Sequence, residues 1–592
     1  MPFIAAPPRD QPELTLRAIL TGIVVGALLT PCNVYSGLKI GWTFNMSVAA
    51  GLIGFSLWSL MSRIGGASPY GLLENNINQT TASSAASIIS AGLAAPIPAL
   101  ALLTGQTLAY PVLVVWLFVV SCLGIVVAAG LRVQLLTRER LPFPAGIVTA
   151  ETMQEIHGGS ALAGARLRLL GMAAAISAAL KFAVTAFAVG PLAPSWKSTI
   201  STSGGGTFQV TAANLGIALD PSALMLGFGA ISGLRIGLSV LLGAALAWGG
   251  LAPLALHYGW AKAGSDADGT WFGPLVEWLL WPGATLMVTV SMTSLVVSLV
   301  RLARRRQKGS AESASTEASS SPGASFQWAA LLIVTVMCVA AQTMIFDIGW
   351  FVALLAVGLS YLLAIVAARV TGETSITPIG ALGKITQLTF GAISPGQVSA
   401  NLMTANVTGG AAGQCADLMQ DLRTGQIIGA TANLQIVAQV FGVLTGSFVA
   451  ALAYLVLIPD PRAMLITPEW PAPAVATWKA VAEVMSVGLS AMPPGSIGAI
   501  AVAVVVGLAL SLTEALSPER VRRYVPSGSA IGLAFVIPAF NSISMFLGAL
   551  IAAIVGRLWP QWAEKRVVIL ASGLIVGESL AGVLDAMSYI VR

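Results

Sequence analysis

The sequence predicts an all-α polytopic membrane protein of about 14–16 transmembrane or re-entrant helices, in two repeated halves with broken helices. Three observations predict it. Of 592 residues, 56% are hydrophobic and 9% charged, and the mean hydropathy is +0.85; a soluble globular chain would carry far more charge. Apolar runs of about 17–25 residues, enough to cross a bilayer, recur along the whole length. Lysine and arginine gather in the short stretches between those runs, as they do in cytoplasmic loops. The net charge of +6 therefore reports topology and not nucleic-acid binding.

Taken in order, the expected spans are 15–34, 43–62, 81–104, 108–130, 167–190, 221–233 with 236–254, 273–300, 326–345, 348–369, 378–395, 425–458, 494–514, 541–556 and 567–590. Pieces at 144–156, 401–415, 475–490 and 527–540 are too brief or too polar to cross alone. The N-terminus has no basic region leading to a cleavage site, so the first span is expected to insert uncleaved. Arg9 and Arg17 place the N-terminus in the cytoplasm, and LRVQLLTRER (131–140), ARLRL (165–169), ERVRRY (519–524) and EKR (564–566) lie on the same side. The charge-poor segment 190–220 is expected outside. For that to agree with the next basic loop, 221–254 must enter and return, turning near Arg235.

RLARRRQKGSAESASTEASSSPGAS (301–325) is basic, then serine-rich, and reads as a cytoplasmic linker. It divides an N-terminal membrane half, 1–300, from a C-terminal half, 326–592. A weak internal echo supports two related halves: TRERLPFPAGIVTA (137–150) matches SPERVRRYVPSGSAIGLA (517–534). Pro144 and Pro526 suit the first turn of a helix, where a missing N–H costs nothing.

The polar residues out of place carry the functional reading. Between apolar segments, 394–439 holds Asn401, Asn406, Gln414, Asp417, Gln420, Asp421, Arg423, Asn433, Gln435 and Gln439. A lipid-facing helix could not tolerate them. A segment at membrane depth facing protein or water could, with irregular backbone allowed there; a cytoplasmic loop capping two helices is the plainer alternative. PCNVYSGLKIGWTF (31–44) interrupts a good helix with Pro31, Gly37 and Gly41 and sets Asn33, Tyr35 and Lys39 either along a pathway or at an interfacial turn anchored by Trp42. ENNINQTTASSAAS (74–87) brings Glu74, Asn78 and Gln79, more polarity than close helix packing needs. In TGETSITPIGALGKITQL (371–388), Glu373 and Lys384 flank a proline-started helix.

Ionisable residues inside spans are few. Lys181 and Glu578 are central in theirs, and Asp585 follows Glu578 seven residues on, on the same helical face. Each costs about 2.5–3.5 kcal/mol at the bilayer centre on insertion scales. Glu578 is the leading candidate for a proton-binding carboxylate, with Asp417 second and Asp585 beside them; a structural pair of Lys181 with one of these carboxylates is the alternative. Arg423 is expected to pair with Asp417.

Several of these stretches resemble one family. ADLMQDLRTGQIIGATANLQIVAQ (416–439), the NxYxGLKxGWTF pattern at 33–44 and the stretch at 371–388 are similar to motifs of the oligopeptide transporter family, which includes the yellow-stripe-like transporters. The resemblance runs from Pro31 to Asp585 and looks like a prokaryotic-type member. It implies a secondary transporter of the inner or plasma membrane, driven by a proton gradient without other cofactor. The substrate it implies is a short peptide or a metal chelate of amino-acid-like ligands. Because polar side chains and helix breakers coincide at 33–39, 74–79, 373–384 and 401–421, a substrate site near the midplane is expected from Asn33, Tyr35, Lys39, Glu74, Asn78, Gln79, Glu373, Lys384, Asn401, Asn406, Gln414, Asp417, Gln420 and Asp421. Lipid is the expected partner, nucleic acid is not, and a homo-oligomer is compatible with the class. A channel is the rival reading.

No phosphate-binding G-x-x-x-x-G-K-[ST] loop is present, so an enzyme or ATP-driven pump is not expected. His157 and His257 stand apart, and Cys32, Cys122, Cys338 and Cys415 fit no metal-ligand spacing, so no metal site is expected.

Overall fold

The computed structural model describes residues 11–41, 46–66, 68–158, 161–267, 269–309, 324–374, 377–488 and 492–591. Arg9, Trp42 and most of the expected linker fall outside these. Among the described residues, thirteen helical stretches are long and apolar enough to cross a membrane. The chain folds into two compact units, each drawing on both halves of the sequence.

The first unit comprises residues 1–35, 43–168 and 316–459. It contains most of α1 (Leu16–Ile40), then α2 (Ser47–Gly65), α3 (Leu72–Ala86), α4 (Pro96–Thr104), α5 (Tyr110–Arg132) and α6 (Pro144–His157). From the later chain come α12 (Ala324–Phe346), α13 (Trp350–Thr374), α14 (Ile379–Ile393), α15 (Val398–Ile428) and α16 (Ala432–Leu457).

At its centre is α15, and here the expectation of irregular backbone is corrected. Of the polar segment, Asn433, Gln435 and Gln439 lie on α16, while residues 398–428 form one uninterrupted helix of 31 residues, about 46 Å long at 1.5 Å per residue, closed by Gly429 at φ 86°. The piece 401–415, read as too polar to cross alone, is part of it. The helix packs against α3, α5, α6, α13 and α14, so nearly all of its faces are buried. Small residues make that possible: a Cβ on Gly124 of α5 would stand 2.6 Å from the Ala411 carbonyl oxygen. Polar side chains survive at this depth by bonding to neighbouring helices instead of to water.

The stretch 31–40 is not broken either. Pro31 forfeits one main-chain hydrogen bond, yet α1 continues to Ile40 and stops at Gly41, at φ 77°. Thr30 and Cys32 bond the carbonyls of Gly26 and Leu28 one turn back, and buried Leu29 and Val34 hold the helix in place.

The second unit comprises residues 36–42, 169–315 and 460–592. It contains most of α7 (Ala161–Ala186), then α8 (Ala223–Ser232), α9 (Leu234–Ala244), α10 (Ala252–His257) and α11 (Phe272–Gly309). Its later part is α17 (Pro461–Met464), α18 (Pro473–Val487), α19 (Ser496–Leu516), α20 (Glu519–Arg522), α21 (Gly528–Phe535), α22 (Ala539–Leu558) and α23 (Pro560–Val591). The loop after α7 carries one antiparallel hairpin, β1 (Lys197–Ser201) with β2 (Thr207–Thr211), Ser201 opposite Thr207.

The turn expected near Arg235 lies at Gly233, φ 83°, between α8 and α9. Pro144 opens α6 as expected, but Pro526 does not open α21. Ser527 is the cap there, its Oγ accepting from the Ala530 amide, so Pro526 lies one residue outside the helix. Helices approach closely through glycine: a Cβ on Gly577 of α23 would stand 2.1 Å from the Ala174 oxygen of α7. Ser177 of α7, one turn on, donates to the Leu574 carbonyl of α23 at 2.6 Å.

Candidate functional site

That contact of α7 with α23 builds the site. It places Lys181, one turn beyond Ser177, and Glu578, the neighbour of Gly577, on the wall of one cavity of about 240 Å³ in the second unit. The other walls carry Lys39 from the end of α1, Asp220 and Ser222 from the entry to α8, Glu469 from the loop before α18, and Asn541 from the start of α22. Two ammonium groups and three carboxylates thus surround a space sized for a small molecule.

Each charge is held by local structure. Ser222 caps α8, its Oγ accepting from the Met225 amide at 3.2 Å. The same hydroxyl donates to Glu578 Oε1 at 2.9 Å, and the Leu224 amide donates to Oε2 at 2.8 Å. The Glu578 carboxylate therefore sits at a helix N-terminus, where unsatisfied amides and the helix dipole favour negative charge. The structural pair with Lys181 is not formed: among the described residues, the ion pairs within 4.0 Å do not include Lys181 with Glu578. Lys39 lies over the Trp470 ring, 5.5 Å from its centroid, and the Gly41 turn fixes its approach. Asp220 lies in the loop outside the spans. Burial pushes its carboxyl above the usual range and Glu578 adds to this, while Lys39 and Lys181 oppose it.

Of the residues expected at a site, Lys39 and Glu578 meet in this cavity. Asp585, half-buried, is not among the residues that line it. Most of the others lie in the first unit, bonded to one another. Asn33 donates to the Ala86 carbonyl at 2.9 Å, and Tyr35 is buried nearby in sequence on α1. Arg17 clamps Glu74 with two nitrogens, Thr15 adds a bond at 2.7 Å, and Glu74 closes the first turn of α3 onto the Gly71 amide. Asn78 donates to Ala50 and Asn75 oxygens. Lys384 donates to Gln387 Oε1 at 3.0 Å, and Gln387 and Asn401 exchange two bonds. Asn406 accepts from Trp116 Nε1 at 2.9 Å and donates to the Ala91 carbonyl at 2.8 Å. Gln414 donates to Ser87, and Gln79 to Asp421 Oδ1 at 2.6 Å. Gln420 is buried, its carbonyl accepting from Thr424, while Glu373 is exposed near the end of α13.

The expected pairing of Asp417 with Arg423 is corrected. Six residues apart, they point about 120° from each other around the helix. Ser87 bonds Asp417, and Arg423 bonds the Pro142 carbonyl and Gln426.

Sequence reading missed Asp220, Ser222, Glu469 and Asn541, which sit in ordinary-looking connections. One signal was available: Asp-Pro-Ser (220–222) directly before an apolar run is a helix-start pattern, and it marks the cap on which Glu578 rests.

Comparison with known proteins agrees with this architecture. The sequence model described as "OPT oligopeptide transporter protein" matches residues 13–589. The chain is 23% identical to the "Putative oligopeptide transporter YGL114W" of Saccharomyces cerevisiae, over 97% of this chain and 96% of that protein. It is 25% identical to the "Probable metal-nicotianamine transporter YSL10" of Oryza sativa subsp. japonica, over 97% and 90%. It is 24% identical to the "Probable metal-nicotianamine transporter YSL8" of Arabidopsis thaliana, over 97% and 86%. With many apolar helices and a match across nearly its whole length, this chain is a multi-pass membrane protein that belongs to the OPT oligopeptide transporter family.

Proposed function

We propose that the protein is a proton-coupled symporter that takes short oligopeptides or related amino-acid-like compounds across the inner or plasma membrane, with its N-terminus and the 301–325 linker in the cytoplasm. The observation that carries this reading is the mixed charge of the second unit's cavity. A zwitterion needs a cation for its carboxylate and an anion for its amine. Lys39 and Lys181 supply the first; Asp220 and Glu469 supply the second. Glu578, held on the helix start, sets the local field, and its protonation would change the charge balance that the substrate meets. Membership of a transporter family supports movement of the ligand over its chemical conversion.

A second reading is uptake of a metal chelate, favoured because several relatives are named as metal-nicotianamine transporters. Such a chelate presents carboxylates and amines to the same charges. Uptake into proteoliposomes separates the readings. Labelled di- and tripeptides should accumulate saturably when the lumen is alkaline and fail to accumulate without the gradient. Accumulation of a metal–nicotianamine complex with no peptide uptake would move the assignment to the second reading. Non-saturating flux indifferent to the gradient would make the protein a channel.

A further inference from the structure

In the first unit, α3, α15 and α16 meet along a seam where polar side chains adjoin the apolar cluster of Ile77 and Ala438. Asp421 is 2% exposed there, and Gln435 and Gln439 are fully buried. The donors along the seam are all committed, and their direction is fixed from both ends. Gln79 Nε2 and Ser47 Oγ donate to Asp421 Oδ1 at 2.6 and 3.2 Å, and Gln435 Nε2 donates to the Asp421 carbonyl at 2.8 Å. These acceptors are a carboxylate and a main-chain carbonyl, so turning either amide would set oxygen against oxygen. At the other end the one proton of Ser87 Oγ is taken by the Ser84 carbonyl or the Asp417 carboxylate, so the hydroxyl accepts from Gln414 Nε2. Gln414 Oε1 must then receive Gln439 Nε2, as it does at 3.3 Å.

What remains are oxygens without a donor: Asp421 Oδ2, Gln435 Oε1 and Gln439 Oε1. Every amide nitrogen is used and the surplus is entirely of acceptors, one of them carrying a full charge. A buried carboxylate bonded only to neutral donors is costly, and one positive charge at Oδ2 removes that deficit. Nearby basic groups are engaged elsewhere. Lys384 of α14 donates to Gln387, Arg17 holds Glu74 of α3, Arg369 of α13 pairs with Glu139, and Arg132 of α5 bonds Asn433. His157 of α6 faces Asn75, and Asp417, one turn earlier, adds negative field.

We infer that this seam binds one monovalent cation, a proton or an alkali ion, at the free carboxylate oxygen of Asp421. Amide and carboxylate oxygens are hard ligands, and a single unpaired carboxylate matches a single positive charge. That this ion drives transport rests on the transport reading above; that it binds does not.

The test uses the full-length protein in lipid nanodiscs, with Tm followed in sodium, potassium and choline chloride at equal ionic strength, from mildly acidic to mildly alkaline pH. An alkali-ion site raises Tm by roughly 2–4 °C in sodium or potassium over choline. A proton site gives no salt preference, but Tm falls as pH rises and strips the stabilising proton. In either case Asp421→Asn removes the salt preference and leaves only the pH response that Asp220 carries, which Asp220→Asn abolishes, while exposed Glu151→Gln keeps the full response. A wild-type Tm indifferent to both ion and pH, or a response undiminished in Asp421→Asn, overturns the inference. Should Asp421→Asn not fold, mapping of apolar carbodiimide adducts on the wild-type protein in choline at acidic pH decides. Modification of Asp421 that sodium, potassium or alkaline pH suppresses supports the site, and an unmodified Asp421 overturns it.

Discussion

Among the described residues, the seam of the first unit concentrates buried polar groups and the cavity of the second concentrates partly open charges, and they are built on opposite plans. Along α15 the amides of Gln79, Asn401, Asn406, Gln414 and Gln435 are spent on the Asp421 carboxylate, the Ser87 hydroxyl and main-chain carbonyls. In the cavity, Lys39, Lys181, Asp220 and Glu578 come from four separate segments and face a shared space. The first arrangement fixes how helices pack and leaves one carboxylate oxygen of Asp421 unpaired; the second leaves several charges facing one cavity. Density of polar residues along the sequence therefore marks chiefly a packing seam here, and convergence of isolated charges marks the candidate substrate site.

The contrast breaks most severely at the helix contact that makes the cavity. Gly577→Ala puts a methyl group 2.1 Å from the Ala174 oxygen, a main-chain atom that cannot rotate away. Overpacking of this kind costs about 1–3 kcal/mol. It should part α7 from α23, carrying Lys181 from Glu578, so that Tm and uptake fall together. Normal uptake by Gly577→Ala would show that the cavity does not depend on this contact.

Next in size is the loss of a single cavity charge. A charged hydrogen bond contributes about 1.5–3 kcal/mol, so Lys181→Met should raise the peptide KM by roughly tenfold to a hundredfold while Tm holds. A KM unchanged in this variant would remove Lys181 from the site.

Effects in the seam should be of the opposite kind. Asn406→Ala strips a partner from Trp116 Nε1 and from the Ala91 carbonyl, leaving buried groups unsatisfied at about 1–3 kcal/mol. Thermal stability should fall with KM unaltered, and kinetic measurement on the surviving folded fraction checks it.

The smallest expected effect is a pH dependence at Asp220. Its carboxyl is raised in the folded protein, so it favours the fold while protonated and opposes it once ionised. Asp220→Asn should melt above wild type at alkaline pH, and the gap should close as pH falls through the raised value. Parallel melting curves at every pH would contradict that sign.

Much of this was legible in the sequence, and the failures have physical causes. Lys39 and Glu578 stood out because charge is costly at those depths, and both reach the cavity. The polarity of α15 was legible, but its helicity was not. A helix buried on nearly every face shows no 3.6-residue alternation, so glycine and asparagine read as irregular backbone. Asp220 and Glu469 gave no signal because charges in connections are ordinary; only folding brings them beside Lys39. The pairing inferred for Asp417 with Arg423 failed on helical phase, which nearness in sequence conceals.

The most direct measurement of the central claim is the peptide KM of Lys39→Gln set beside that of Asn406→Ala, in proteoliposomes under one proton gradient. If the cavity of the second unit binds the substrate and the α15 seam holds the fold, Lys39→Gln raises KM by roughly tenfold or more at unchanged Tm, while Asn406→Ala lowers Tm at unchanged KM. A raised KM in Asn406→Ala with Lys39→Gln unaffected would contradict the account and return the substrate to the first unit.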